Sequence, residues 1–223
     1  YAERNPEADV EGHDACRKIA ILTSLISGQH VDFEKIHTEG ITKITTEDMK
    51  YAKKLNMAIK LLASSKRVGD TFSVLVAPML LSEEHPLCNV NDVFNAVFVR
   101  GNMLGDAMFY GSGAGKLPTA SAVVADVVDA AKHLHRNVVT RWDAGELELI
   151  PNAEAEHRFF VRVQGRSEAQ KEQIREAFGS VEIVETEGLE DEFGFITEVM
   201  TEGTYSKKAE AFPEIIHMIR LAD

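Results

Sequence analysis

Apolar positions along the 223-residue chain change their spacing several times, and each change marks an element. From His13 to Ser27 they recur as a helix requires: Ile19, Leu22, Leu25 and Ile26 lie three or four apart, Asp14 suits a first turn and Gly28 a stop. This predicts a buried helix. Residues 46–55 predict a second helix, with Thr46 at its N-cap. β-prone runs then take over at 58–68, 71–82, 94–100 and 106–110, separated by Gly69-Asp70, Pro86 and Gly101-Asn102. Such a layout predicts hairpins in an antiparallel sheet. A glycine-rich turn, Gly111 to Gly115, leads into a long helix over 119–134 with an apolar stripe at Val123, Val127 and Ala131.

The tail has a different rhythm. Strands are predicted at 157–163, 181–186, 193–200 and 215–221, with a helix over 167–178 capped by Ser167 and a short one over 206–212 stopped at Pro213. The order βαββαβ suggests a ferredoxin-like layer of helices on one sheet face. Turn signals at Asp143-Ala144-Gly145 and Pro151-Asn152 separate this tail from what precedes it. The predicted fold is therefore α+β: an antiparallel or mixed sheet covered by helices over residues 1–150, then a small ferredoxin-like domain over 151–223.

Charge sharpens that division. The formal net charge is −12, and from Ala153 onward 16 acidic side chains face 8 basic ones. This sign argues against a nucleic-acid or anionic-membrane surface, which needs clustered positive charge. No apolar run approaches the ~20 residues of a membrane span. Two cysteines, Cys16 and Cys88, form neither a disulfide framework nor a zinc spacing, so a reducing cytoplasm is the expected location. An apolar share of 44% supports an ordinary core. The runs Ser73–Ala77 and Ala96–Val99 are apolar on both faces, which predicts a dimer with sheets packed face to face.

The densest group of reactive side chains opens the chain, from Glu3 through Asp9, Glu11, His13 and Asp14 to Lys18. With a helix starting near His13, Asp14 and Lys18 lie one turn apart on one face. Lys18 stands where the helix turns apolar, so it is expected at the edge of a core. Partial desolvation beside a carboxylate can tune an amine there for general acid or base work. The same spacing also describes an ordinary surface ion pair, worth about 0.3–0.5 kcal/mol. His13 reads as a solvent-facing neighbour of the helix cap. The second group is Tyr110-Gly111-Ser112-Gly113-Ala114-Gly115-Lys116, at the start of a helix, where freed backbone N–H groups can hold an anion. It is neither a Walker A loop nor a Rossmann turn, and it reads equally as a tight strand-to-helix connection. His133 and His135 lack metal-ligand spacing, and Met57, Met79, Met103 and Met108 read as core.

These motifs resemble a known family. The opening segment, with Glu3, Asp9-Val10-Glu11-Gly12, Asp14 and Lys18, is similar to the catalytic signature of homoserine dehydrogenases. The likeness continues through Gly40-Ile41-Thr42, Ile59-Lys60-Leu61-Leu62-Ala63, Asn95-Ala96-Val97, Tyr110–Gly115 and Pro118–Asp126 in the family's order. The resemblance implies reversible hydride transfer between L-homoserine and L-aspartate 4-semialdehyde with NAD or NADP, on the route to threonine, methionine and isoleucine. It implies Lys18 as the catalytic lysine that exchanges a proton with the substrate oxygen. Glu3 and Asp14 would receive the substrate, Asp9 would be their acidic neighbour, and Gly115 would touch the nicotinamide cofactor. No metal is implied.

In this family a dinucleotide-binding half precedes the catalytic segment, and no Gly-x-Gly-x-x-Gly occurs in this chain, which opens at Tyr1 as a fragment would. The expectation is a substrate-binding and oligomerisation half, inactive alone. The tail resembles an ACT domain, a regulatory module that implies an amino-acid effector such as threonine. Many ACT domains carry Asp-x-Pro-Gly after the first strand, where this chain has Gln164-Gly165-Arg166-Ser167. The competing reading is a non-catalytic amino-acid-sensing or assembly protein with an ACT-like tail. A hydrolase finds no nucleophile elbow and no paired acids.

Overall fold

The computed structural model describes residues 6–139 and 142–222. The first run of elements is α1 (Glu7–Val10), α2 (His13–Ser27), β1 (Gln29–His30), β2 (His37–Thr38), α3 (Thr46–Lys54), β3 (Met57–Val68) and β4 (Thr71–Ser82). Then come β5 (Phe94–Gly101), β6 (Gly105–Ser112), α4 (Lys116–Lys132) and β7 (Asp143–Glu146). The tail contains β8 (Glu156–His157), β9 (Phe159–Gln164), α5 (Glu168–Phe178), β10 (Glu182–Val184), β11 (Glu192–Ile196), β12 (Met200–Thr201), α6 (Glu202–Ala209) and β13 (Ile215–Leu221). Contacts group the described residues into two compact units. Residues 83–139 form one; residues 6–82 together with 142–222 form the other. This grouping follows different lines from a division near residue 150.

The larger unit is built on a seven-stranded sheet in the order β10-β11-β9-β13-β4-β2, with β3 also paired to β4. The β3–β4 hairpin is antiparallel in unbroken register from Met57↔Ser82 to Val68↔Thr71. On its other side β4 pairs in parallel with β2 at Leu75–Val76 and with β13 at Met79–Leu80. The sheet is therefore mixed, and the tail's last strand continues the sheet of the first part. Within the tail, β9, β10, β11 and β13 pair antiparallel, with α5 and α6 between strands in βαββαβ order.

Burial explains why β4 reads as an unbroken apolar run. Leu75, Val76, Ala77, Met79, Leu80 and Leu81 are all at most 4% exposed, as a strand covered on both faces requires. The expectation that Ser73–Ala77 offers a free face for a second copy is corrected: this chain covers it. α2 lies over β4, packing Cys16, Ile19 and Ala20 against Phe72, Val74 and Val76. Its buried face is Cys16, Ile19, Ala20, Thr23 and Ser24, whereas Leu25 and Ile26, expected inside, are 53% and 67% exposed. In β9 the two-residue period separates two cores. Phe160 joins Tyr51, Leu80 and Ile219 under α3; Phe159, Val161 and Val163 join Ile174, Phe178 and Tyr205 under α5 and α6. A buried polar network also ties the tail to α3. Arg162 donates to Asp48 at 2.8 Å and bidentately to Glu192 at 2.9 and 2.7 Å, and His217 Nδ1 lies 3.0 Å from Asp48.

Several boundaries move for identifiable reasons. The N-cap of α3 is Thr45, in a capping box with Asp48, rather than Thr46. Helix α4 starts at Lys116 rather than 119, because Pro118 is tolerated in a first turn, where its missing N–H has no partner to lose. Helix α6 starts at Glu202, capped by Thr201, four residues before the predicted 206.

In the smaller unit β5 and β6 form a separate two-stranded hairpin, registered from Phe94↔Ser112 to Gly101↔Gly105. The expected hairpins are present, but not in one antiparallel sheet: β3–β4 belongs to the mixed seven-stranded sheet, and β5–β6 forms a sheet of its own. Many apolar side chains of this unit lie open: Phe109 is 70% exposed and Val127 63%, and α4 buries none of its residues. Met103 and Met108, expected as core, are exposed as well.

Candidate active site

Helix α2 begins on Gly12, whose φ of +78° is left-handed backbone that favours glycine. An added Cβ there would stand 3.0 Å from Val76 Cγ1 and 3.3 Å from Thr38 Cγ2, so Gly12 also lets the helix start press onto β4 and β2. Asp14 occupies the first turn, where free N–H groups and the helix dipole favour a carboxylate. One turn on, Lys18 Nζ lies 2.6 Å from Asp14 Oδ2. The two side chains are 67% and 46% exposed. Lys18 was expected at a core edge; the structure turns it outward, because Cys16, Ile19 and Ala20 take the inward face. Ile21 and Leu25, one and two turns beyond Lys18 on the outward side, are 55% and 53% exposed. An ammonium thus stands at one end of an apolar stripe, paired with an anion and open to a ligand.

The other predicted site residues are placed differently. Glu3 lies outside the described residues. Asp9 is exposed on α1, and among the described residues its side chain enters no ion pair with Lys18. Gly115 belongs to the smaller unit, as N-cap of α4, with a φ of +119° that favours glycine. Gly113 approaches so closely that an added Cβ would stand 2.0 Å from Asn95 Nδ2. The glycine-rich turn is therefore a tight connection, and it ends at a helix start whose N–H groups can meet an anion. Among the described residues no group of three or more His, Cys, Asp or Glu could hold a metal ion, and no helix is long and apolar enough to cross a membrane.

A cavity of about 180 Å³ lies beside the α2 start, lined by Glu11, Thr38, Glu39, Thr42, Lys43 and His217 among others, residues that no sequence motif groups together. Burial pushes the Glu39 carboxyl up, but hydrogen bonds from His37 and Arg220 outweigh it and hold it at about 2. The one sequence signal for this loop is Gly40, whose position leaves no space for a Cβ against Glu11.

Fold and site together define an α+β protein that presents a lysine–aspartate pair at the exposed start of a helix. The homoserine dehydrogenase profile matches residues 1–128. A homoserine dehydrogenase of Neisseria gonorrhoeae is 38% identical over 176 residues, covering 75% of this chain and 40% of that protein. One from Bacillus subtilis is 45% identical over 138 residues, covering 62% and 32%. Among solved structures, the homoserine dehydrogenase of Thiobacillus denitrificans matches with a TM-score of 0.88 at 31% identity, over 100% of this chain and 56% of that one. That of S. aureus matches at 0.79 and 27%, over 100% and 55%. The chain belongs to the homoserine dehydrogenase family. The matches span from about 32% to 56% of the length of these relatives.

Proposed function

We propose that this chain is the substrate-binding and proton-handling half of an enzyme that interconverts L-homoserine and L-aspartate 4-semialdehyde, within threonine, methionine and isoleucine biosynthesis. The observation that carries this reading is the Lys18–Asp14 pair, 2.6 Å apart, inside the family-matched segment. A nicotinamide cofactor, NAD or NADP, supplies the hydride when bound. In the reducing direction the aldehyde carbon gains that hydride, its oxygen becomes an alkoxide, and the Lys18 ammonium gives that oxygen a proton. In the reverse direction neutral Lys18 takes the proton from the hydroxyl. Asp14 and Glu3 are anions suited to the substrate's α-ammonium, with Asp9 near them in sequence. Gly115 offers a helix start without a Cβ, a fit for the close approach of a flat ring. The residues that choose between NAD and NADP belong to a nucleotide-binding half, so residues 1–223 alone are expected to be inactive.

The test is Lys18→Ala in the full-length protein. Turnover should fall at least 100-fold, the size of a general-acid contribution. Lys18→Arg should not restore it, since guanidinium does not give up its proton. Unchanged turnover in Lys18→Ala overturns the reading, as does homoserine oxidation by the isolated 223-residue chain for the claim that it needs a partner half.

We assign residues 151–223 as an ACT-like module by their element order, and we favour a supporting role over threonine sensing. The turn between β9 and α5 is filled from within: Gln170 Oε1 accepts from Ser167 N at 3.2 Å, and Gln170 Nε2 donates to Gln164 O at 3.3 Å. An effector there would have to displace that amide. The alternative, an amino-acid-sensing or assembly protein, draws on the same tail and predicts micromolar threonine binding by calorimetry. We also propose a homodimer, joined through the open apolar faces of β5, β6 and α4.

A further inference from the structure

One buried cation connects the tail to the ground on which the Lys18 helix stands. Arg220 on β13 is 2% exposed. Its guanidinium grips Glu202, the first residue of α6, through Nε to Oε1 and through Nη2 to Oε2 at 3.0 Å. The same guanidinium grips Glu39, in the loop after β2, through Nη1 to Oε2 and Nη2 to Oε1, both at 2.9 Å. Forked contacts of this kind fix rotation as well as distance.

From Glu39 a line of contacts leads to the residues just before α2. Glu39 N donates to Val76 O at 2.8 Å, and Ile41 N donates to Val10 O at 2.8 Å. The Thr42 hydroxyl donates to Glu11 Oε1 at 2.9 Å. A Cβ on Gly40 would stand 2.4 Å from Glu11 Oε2 and 2.6 Å from Glu11 Cα, so the loop and the residues before Gly12 meet with no slack. Gly12, in turn, rests on Thr38 and Val76. A carboxylate clamped by the tail thus holds one side of a contact whose other side is Val10 and Glu11, directly before the Gly12 cap of the helix bearing Asp14 and Lys18.

On the homoserine dehydrogenase reading above, we propose that Glu39 is a positioning residue: held by His37 and by Arg220, which Glu202 anchors in turn, it sets the 38–42 loop and through it the place of Lys18. This gives the tail a part in the reaction that requires no effector. Proton transfer falls steeply with misplacement, of which ~1 Å can cost ~100-fold, while the ion pair between Asp14 and substrate tolerates such a shift.

The test compares two buried networks in the full-length enzyme. Glu39→Gln and Arg220→Lys cut the one described here. Asp48→Asn cuts the neighbouring one, which ties the tail to α3 and, among the described residues, makes no hydrogen bond to the 38–42 loop. Glu39→Gln and Arg220→Lys should each lower kcat about 10- to 100-fold while KM for homoserine moves less than about threefold. They should also speed amide hydrogen exchange at residues 13–18 at least tenfold. Asp48→Asn, compared at its own thermal midpoint, should leave kcat within about threefold. Should a variant fail to fold, Gly40→Ala tests the same link by pressing on Glu11, with the same pattern expected. A kcat within twofold of wild type in Glu39→Gln overturns the proposal, as does an equal fall in Asp48→Asn for an equal loss of stability. A wild-type enzyme without activity on homoserine defeats the functional reading instead. Hydrogen exchange then decides, since unchanged exchange at 13–18 in both cutting variants overturns the positioning role by itself.

Discussion

The two compact units use the same kinds of apolar side chain and treat them in opposite ways. In the larger one, Phe159, Phe160, Phe193 and Phe195 are at most 1% exposed, between a sheet and its helices. In the smaller one, Phe109 is 70% exposed, Tyr110 50% and Val124 60%, on a hairpin and a helix whose patterns promised burial equally well. The difference teaches that periodicity reports which face of an element seeks cover, and is silent on whether the same chain provides it. An apolar stripe that its own chain leaves open marks a surface for something else.

The comparison can be broken most forcefully by association. Val97→Asp in β5 should raise the dimer dissociation constant at least 100-fold, as charges buried at an apolar interface do. Light scattering checks it; a wild-type chain that is monomeric at micromolar concentration removes the explanation given for the open unit. Stability sharpens the contrast next. Phe160→Ala in the larger unit should cost about 3–5 kcal/mol, whereas Phe109→Ala in the smaller should cost under about 0.5 kcal/mol for the monomer, both read by urea unfolding. Equal losses would show that the hairpin is packed after all.

A third effect belongs to the larger unit alone. Burial pushes the Asp48 carboxyl up, but hydrogen bonds from His217, Arg162 and Thr45 prevail and hold it at about 2, as Glu39 is held. Both values lie below the ordinary carboxylate range, so this stabilisation is complete above pH ~5 and is lost as pH falls toward 2, by about 2 kcal/mol for Asp48. Unfolding free energy measured from pH 6 to 2.5 should fall accordingly, and Asp48→Asn should flatten the slope. The smallest effect is expected at the site itself. Asp14→Asn should change stability by less than about 0.5 kcal/mol, because the pair is exposed, yet impair turnover. A large loss of stability would make the pair structural.

Much of this was legible in the sequence. His13–Ser27 ends on Gly28 as its pattern predicts, the Gly69-Asp70 turn joins two strands of matched length, and the tail follows its predicted order. Asp14 and Lys18 meet because four residues make one helical turn. What escaped was long-range. The parallel pairing of β13 with β4, and the grip of Arg220 on Glu39, join positions far apart in the chain, and a charged residue in a strand reads as a surface residue. The outward turn of Lys18 escaped too, since a continuous apolar run from Ile19 to Ile26 hides which of its members face in.

The position of β13 bears on how the protein is made. Residues 71–82 leave the ribosome long before 215–221, and until then β4 offers unpaired amide and carbonyl groups at Met79–Leu80 to any strand that passes. Nascent chains therefore carry a sticky seam until residues 215–221 arrive to close it, and slow translation between these stretches lengthens the time it stays open.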